Sequence, residues 1–194
     1  MPAMEPTLVR RAEPRDAVAV AELQDLANAG QLSATLWRVG GRDWREVGAE
    51  QITGGTTEMA LALTIVAEVS GAIAGMLNFA ANETPPLADD PVGRPFAALR
   101  RALGPGLYLR AMAVRPEHRG RGIARELLDV AARAARTVEA PTMGVIVHES
   151  NARLVAHYAA RGFREIAREP VVAHHAYPVG SALIGLRATL RDAS

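Results

Sequence analysis

The stretch Leu107–Leu128, LYLRAMAVRPEHRGRGIARELL, constrains the fold of this chain more than any other. Leu107–Val114 is an apolar run of strand length, and Pro116 closes it. Arg119, Gly120, Arg121 and Gly122 make a short basic loop, after which Ile123, Leu127, Leu128 and Ala131 fall on one stripe of a helix. A strand, a glycine loop and a helix in this order present backbone N–H groups and a positive helix end to an anion.

Several phosphate-loop patterns are tested against this stretch. A nucleotide-triphosphate loop needs Gly-Lys-Ser/Thr ahead of the helix, and the chain contains no lysine; all 22 of its basic residues are arginine. A dinucleotide fingerprint needs Gly-x-Gly-x-x-Gly in an early βαβ unit. Gly120 and Gly122 supply the first two glycines, but Arg125 stands at the third. The absence of lysine also excludes Schiff-base and lysine-base chemistry. Cysteine is absent, so thiol nucleophiles, disulfides and cysteine metal sites are excluded, and no metal is expected.

The 194 residues suit one domain, taken as 1–194, with 49% hydrophobic content and a formal net charge of +1. That balance, with 4% aromatic residues, argues against nucleic acid as a partner. The first residues, MPAMEPTLVRRAEPRD, hold no apolar signal core, and no run reaches the ~18 apolar residues of a membrane span. No membrane partner and a cytoplasmic location are the expectation.

In chain order, Thr7–Ala12 reads as a first strand, with Asp16 as the N-cap of a helix whose buried side includes Val18, Leu23 and Leu26 and which ends at Asn28 and Gly30. Gln31–Val39 reads as a second short helix, and Gly40–Gly55 as a polar, glycine-rich loop. Trp37 and Trp44 lie near that loop's start and either shape a pocket or simply pack. Leu61–Val69 and Ala72–Ala80 flank Ser70-Gly71 as a β-hairpin. Ala81–Gly106 is proline-rich, with a short helix expected at Phe96–Leu103. Thr142–His148 is a buried strand. Glu149-Ser150-Asn151 opens a helix that reaches about Arg161 and stops at Gly162. Phe163–Val172 and Ala182–Leu190 are the last strands, joined by a loop with His174, His175, Tyr177, Pro178 and Gly180. This order predicts a mixed α/β (α+β) fold, helices on both faces of one sheet.

Arg119-Gly120-Arg121-Gly122-Ile123-Ala124 matches the pattern Arg/Gln-x-x-Gly-x-Gly/Ala. Asn151 through Phe163 matches Asn-x₆-Tyr-x₃-Gly-Phe, with Tyr158 two helical turns after Asn151. On these two motifs the sequence resembles the GCN5-related N-acetyltransferase (GNAT) superfamily. The resemblance covers Leu107–Phe163; the N-terminal half agrees only in element order. It implies a central, mostly antiparallel mixed sheet in a single domain, with acetyl-CoA as co-substrate. It implies that Arg119, Gly120, Arg121, Gly122, Ile123 and Ala124 hold the pyrophosphate and that the main chain of Met112, Ala113 and Val114 pairs with pantetheine. Asn151 would contact pantetheine, and Tyr158 would protonate the leaving thiolate.

Many members of the family carry a glutamate five residues before the asparagine, as general base. Here Ile146 stands there and cannot take a proton. His148 and Glu149 lie close by, with their directions open, and an ordered water is a further route. The acceptor pocket implied by the resemblance draws on Gln31–Gly55, Ala81–Gly106 and His174–Gly180, whose acids Asp43, Glu46, Glu50, Glu83, Asp89 and Asp90 suit a cationic amine. The function implied is acetyl transfer to a primary amine of a small molecule or peptide. The alternative is a non-catalytic acyl-CoA-binding regulatory module, for which Ile146 speaks and against which Tyr158 speaks. A homodimer is a further expectation from the family.

Overall fold

A computed structural model describes residues 6–28, 33, 41–55, 60–86, 93–171 and 182–190. In chain order the elements are β1 (Thr7–Arg11), α1 (Ala17–Ala27), α2 (Trp44–Thr53), β2 (Thr64–Val69), β3 (Ala72–Ala81), α3 (Gly93–Leu103), β4 (Leu107–Val114), α4 (Ile123–Thr137), β5 (Thr142–His148), α5 (Ala152–Ala159), β6 (Arg164–Pro170) and β7 (Ala182–Thr189). The seven strands follow the order β1-β2-β3-β4-β5-β7-β6. The pairs β1/β2, β2/β3, β5/β7 and β6/β7 are antiparallel and β4/β5 is parallel, so the expected mixed, mostly antiparallel sheet is present. The chain divides into two compact units, Met1–Phe79 with Arg110–Ala131, and Ala80–Leu109 with Ala132–Ser194.

In the first unit the hairpin forms where it was expected. Ser70 (φ 50°) and Gly71 (φ 81°) both adopt positive φ, the two-residue turn that matches the twist of the flanking strands. The strand before it begins at Thr64 rather than Leu61, because Leu61–Leu63 closes into a 3₁₀ turn. An apolar cluster joins Val20, Ala21 and Leu23 of α1, Ile52 of α2, Leu61, Val66 of β2, Met76 of β3, and Ala111 and Ala113 of β4.

Three local expectations change. Val18 and Leu26 are 46% and 41% exposed, and the buried face of α1 runs instead through Ala17, Val20, Ala21, Leu23 and Gln24. Two alanines and a glutamine occupy the inward stripe, so side-chain apolarity alone mislocates it. Asp16 does not cap α1 through its side chain. Its buried carboxylate accepts from Arg10 Nη1 at 2.6 Å, Arg10 Nη2 at 3.0 Å and the Glu13 N–H at 2.8 Å. Gly40–Gly55 is no loop over its second part: Asp43 accepts from the Arg45 N–H at 2.8 Å and starts α2, which buries Val47, Ala49 and Ile52. Tertiary burial of that face outweighs the low helix preference of Gly48.

In the second unit β5 carries the observed bounds Thr142–His148, as read from the sequence. Helix α3 begins at Gly93, three residues before the expected start, and buries Leu99 and Leu103. Leu103 lies over Gly144, where a Cβ would come within 2.9 Å of its Cδ2 atom. Gly106 sits closer still: a Cβ there would stand 2.3 Å from Thr142 Oγ1 and 2.4 Å from the Thr142 carbonyl oxygen. The same Thr142 hydroxyl donates to the Pro105 carbonyl at 2.8 Å. The expected elements at Gln31–Val39 and His174–Gly180 lie outside the described residues, apart from Ser33.

Candidate active site

The first unit carries the strand and loop. Along β4 burial alternates, with Ala111 and Ala113 buried and Met112 and Val114 half-buried. The parallel register with β5 covers Leu107–Leu109, and Met112–Val114 lie beyond it along the strand. The strand's exit is pinned by Arg115. Its backbone N–H donates to the Ala74 carbonyl at 2.8 Å, its Nε to the Ile73 carbonyl at 2.9 Å, and its Nη2 to Glu22 at 2.7 Å.

A 3₁₀ turn at Pro116–His118 then leads into the loop. Arg119 Nε donates back to the Val114 carbonyl at 3.2 Å. Gly120 and Gly122 hold φ of +79° and +87°, a backbone region that favours glycine, and a Cβ on either would meet nothing within 4 Å. Two glycines are therefore spent on shaping the backbone around open space. The carbonyl of Gly122 accepts from the N–H of Arg125 at 2.9 Å and of Glu126 at 3.1 Å, which makes it the first turn of α4. N–H groups in the first turn of any helix have no acceptor within it. Ile123 turns into the core, and Leu127, Leu128 and Ala131 follow on the buried stripe as expected. Gly75 lets this junction close: a Cβ there would lie 3.0 Å from the Ala113 carbonyl and 3.1 Å from Ile123 Cγ2.

The second unit carries Asn151 and Tyr158 on one helix. Asn151 caps α5, its Oδ1 accepting from the Leu154 N–H at 3.1 Å. Among the described residues, its side-chain N–H groups make no hydrogen bond. Tyr158 is 2% exposed and packs against Phe163 with ring centroids 5.1 Å apart. No hydrogen bond joins its hydroxyl to another of the described residues. Burial pushes its phenol well above the ordinary value, an effect that the nearby Arg161 charge only partly offsets.

The residues near the missing glutamate now have directions. In β5, Ile146 pairs with Gly185 and His148 with Leu183 in an unbroken antiparallel register, so Ile146 and His148 share a face. Burial holds the His148 imidazole below its ordinary pKa, in the neutral form at neutral pH. Glu149 is engaged with Arg168, which also bonds Glu165. Of the acids placed in acceptor loops, Asp43 caps α2 and Glu50 pairs with Arg42, while Asp89 and Asp90 lie outside the described residues. Sequence reading missed Arg115 and Glu22, whose partners lie 42 and 93 residues from Arg115 along the chain. Among the described residues, no group of three or more His, Asp or Glu is placed to hold a metal, and no helix is long and apolar enough to cross a membrane.

The sequence model of the Acetyltransferase (GNAT) family matches residues 34–163, two thirds of the chain and all of the loop, Asn151 and Tyr158. The chain is a member of the GNAT family. It is therefore an acetyl-CoA-dependent acetyltransferase, as the two motifs implied. Solved structures with the same fold include an acetyltransferase at 18% identity and TM-score 0.68, covering 95% of this GNAT chain and 100% of that one. They include yncA, a putative acetyltransferase from Salmonella typhimurium with its cofactor acetyl-CoA (20% identity, TM-score 0.61, 96% and 95% covered). An N-acetyltransferase from Staphylococcus aureus aligns at 15% identity and TM-score 0.68, with 93% and 100% covered. No curated protein matches the sequence. At such identities the solved structures speak for the GNAT fold, while the family model carries the assignment.

Proposed function

We propose that this enzyme moves the acetyl group of acetyl-CoA to a primary amine of a small molecule or peptide by direct attack, within one domain spanning 1–194. The observation that carries the reading is the pair Gly120 and Gly122, held at positive φ with open space beyond them at the start of α4. Such a loop accepts a diphosphate on converging N–H groups, and the exposed guanidinium groups of Arg119 and Arg121 add charge. Met112–Val114, past the part of β4 that pairs with β5, offer main-chain groups to pantetheine, and Asn151 offers its side-chain amide.

The amine nitrogen attacks the thioester carbon, the C–S bond breaks, and the departing thiolate takes its proton from Tyr158 Oη. The amine's proton leaves through water or through a base on β5, where His148 is neutral and on the face of Ile146. A phenol whose pKa is raised by burial is fully protonated at neutral pH, as an acid must be at the start of the reaction.

Two measurements test this reading. In thermal denaturation, CoA and acetyl-CoA raise Tm and NADP does not. In a thiol-release assay with acetyl-CoA and benzylamine, spermidine, an amino-acid amide and a short peptide, at least one acceptor drives release. Binding of CoA with no release from any acceptor overturns transfer to amines and favours the binding-module alternative.

A further inference from the structure

We propose that Asn78 supplies the hydrogen-bond acceptor that holds an N–H of the amine substrate. This rests on the acetyl-transfer reading above. Asn78 lies on β3, directly opposite Thr64 of β2, and the two are 0% and 1% exposed. Its Nδ2 donates to Thr64 Oγ1 at 2.9 Å and to the Ala60 carbonyl at 3.3 Å. The Thr64 hydroxyl spends its own proton on that same carbonyl, at 3.1 Å, and so can only accept from Asn78. Ala60 presents a carbonyl, which can never donate. The amide is thereby fixed in one orientation, since flipping it would set two carbonyl oxygens against each other.

Its Oδ1 is consequently the atom those bonds leave over, and among the described residues it is buried without a hydrogen-bond partner. Buried carbonyls are nearly always satisfied, and one held orphaned by two neighbours is a place where a ligand donor is expected. Alternation along the strands locates it. Asn78 shares its face with Met76, and Thr64 shares its face with Val66. Met76 and Val66 belong to the cluster that also contains Ala111 and Ala113, the residues on either side of Met112 in the strand assigned to the thioester. In that stretch of β4 the side chains on this face are only methyl groups, and the one polar function on the same face of β3 is the Asn78 amide.

The chemistry of the group fits the step. Direct attack needs the amine in its neutral form. A carboxylate would favour the ammonium ion and raise the amine's pKa, whereas an amide carbonyl accepts an N–H without that penalty. A primary amine can give one N–H to Asn78 and keep its lone pair for the carbonyl carbon.

The test uses the acceptor with the highest kcat/KM in the amine panel, at saturating acetyl-CoA, with the full chain. Asn78→Leu, close in volume, raises the KM for the amine at least tenfold and leaves the KM for acetyl-CoA within twofold. Asn78→Asp reproduces the donor and the acceptor only while its carboxyl is protonated, so the amine KM recovers toward wild type at low pH and the recovery is lost as the pH rises. An unchanged amine KM in Asn78→Leu overturns the proposal. Equal losses in both variants, for the amine and for acetyl-CoA alike, mark a packing role and overturn it too. Absence of thiol release from the wild-type protein with every amine falls instead on the acetyl-transfer reading.

Discussion

Glu22 accepts a hydrogen bond from Arg115 at 2.7 Å, and through its other oxygen one from Arg45 at 2.9 Å. One carboxylate of α1 thus ties α2 to the residue that follows β4. Burial alone would raise the pKa of Glu22, but the hydrogen bonds from Arg115 and Arg45, with their charges, outweigh it and bring the pKa below the ordinary value. With the folded-state pKa depressed, the stabilisation is present above about pH 4.5 and is lost as the pH falls through the folded value. The groups are partly exposed, so Glu22→Gln should cost about 0.5–1 kcal/mol in urea denaturation at pH 7, and progressively less as the pH falls through the folded value. The same variant should weaken acetyl-CoA binding several-fold, because Arg115 loses one of its anchors.

Gly122→Ala separates a ligand's space from the protein's own. The new Cβ would touch no protein atom, so the stability loss is limited to the strain of φ +87°, about 1–2 kcal/mol. Acetyl-CoA binding, measured by calorimetry, should fall at least tenfold, since the methyl group enters the volume assigned to the diphosphate. A variant that binds acetyl-CoA as wild type would remove the loop from the site.

Tyr158→Phe should lower kcat about a hundredfold while the KM for acetyl-CoA stays within twofold. Its Tm should stay close to that of wild type, because the hydroxyl makes no hydrogen bond to another described residue. The raised phenol pKa sets the pH behaviour. No loss of kcat from Tyr158 ionisation is expected below about pH 10, and any earlier alkaline limb belongs to another group. Stability linked to this neutral phenol is fully present below its ordinary pKa of about 10 and is lost as the pH rises toward the folded value.

Gly106→Ala should be among the most damaging single changes in the second unit. Its Cβ would stand 2.4 Å from the Thr142 carbonyl, a backbone atom that cannot rotate away. A loss of about 3 kcal/mol is expected in denaturant titration, against less than half of that for Gly144→Ala, where the obstacle is the flexible end of Leu103.

Elements bounded by strong punctuation were legible from residue order. Leu107–Val114 and Thr142–His148 have their read bounds because an apolar run is stopped at each by proline, glycine or polar residues. The Ser70-Gly71 turn was equally readable, since two positive φ values call for a glycine. Helix α2 was not, because Gly48 and a polar surface disguise a buried face that only packing against the α1 side creates. The inward stripe of α1 was misplaced for the reverse reason: Val18 and Leu26 are apolar but exposed. Within the site, the glycine loop shows in sequence because its chemistry is local. The roles of Glu22, Arg115 and Asn78 depend on neighbours tens of residues away, and nothing in their own surroundings marks them.

Among the described residues every ion pair uses a guanidinium as its cation, at Arg10, Arg15, Arg42, Arg45, Arg115, Arg125 and Arg168. An enzyme that acetylates amines works in a pool of reactive thioester, and a lysine in such a pair is itself an acceptor whose charge one transfer erases. Guanidinium groups are far poorer nucleophiles and keep their charge. The clamp of Arg115 on Glu22 is thereby shielded from the enzyme's own product chemistry. Any acetylated side-chain amine found after turnover must come from another molecule.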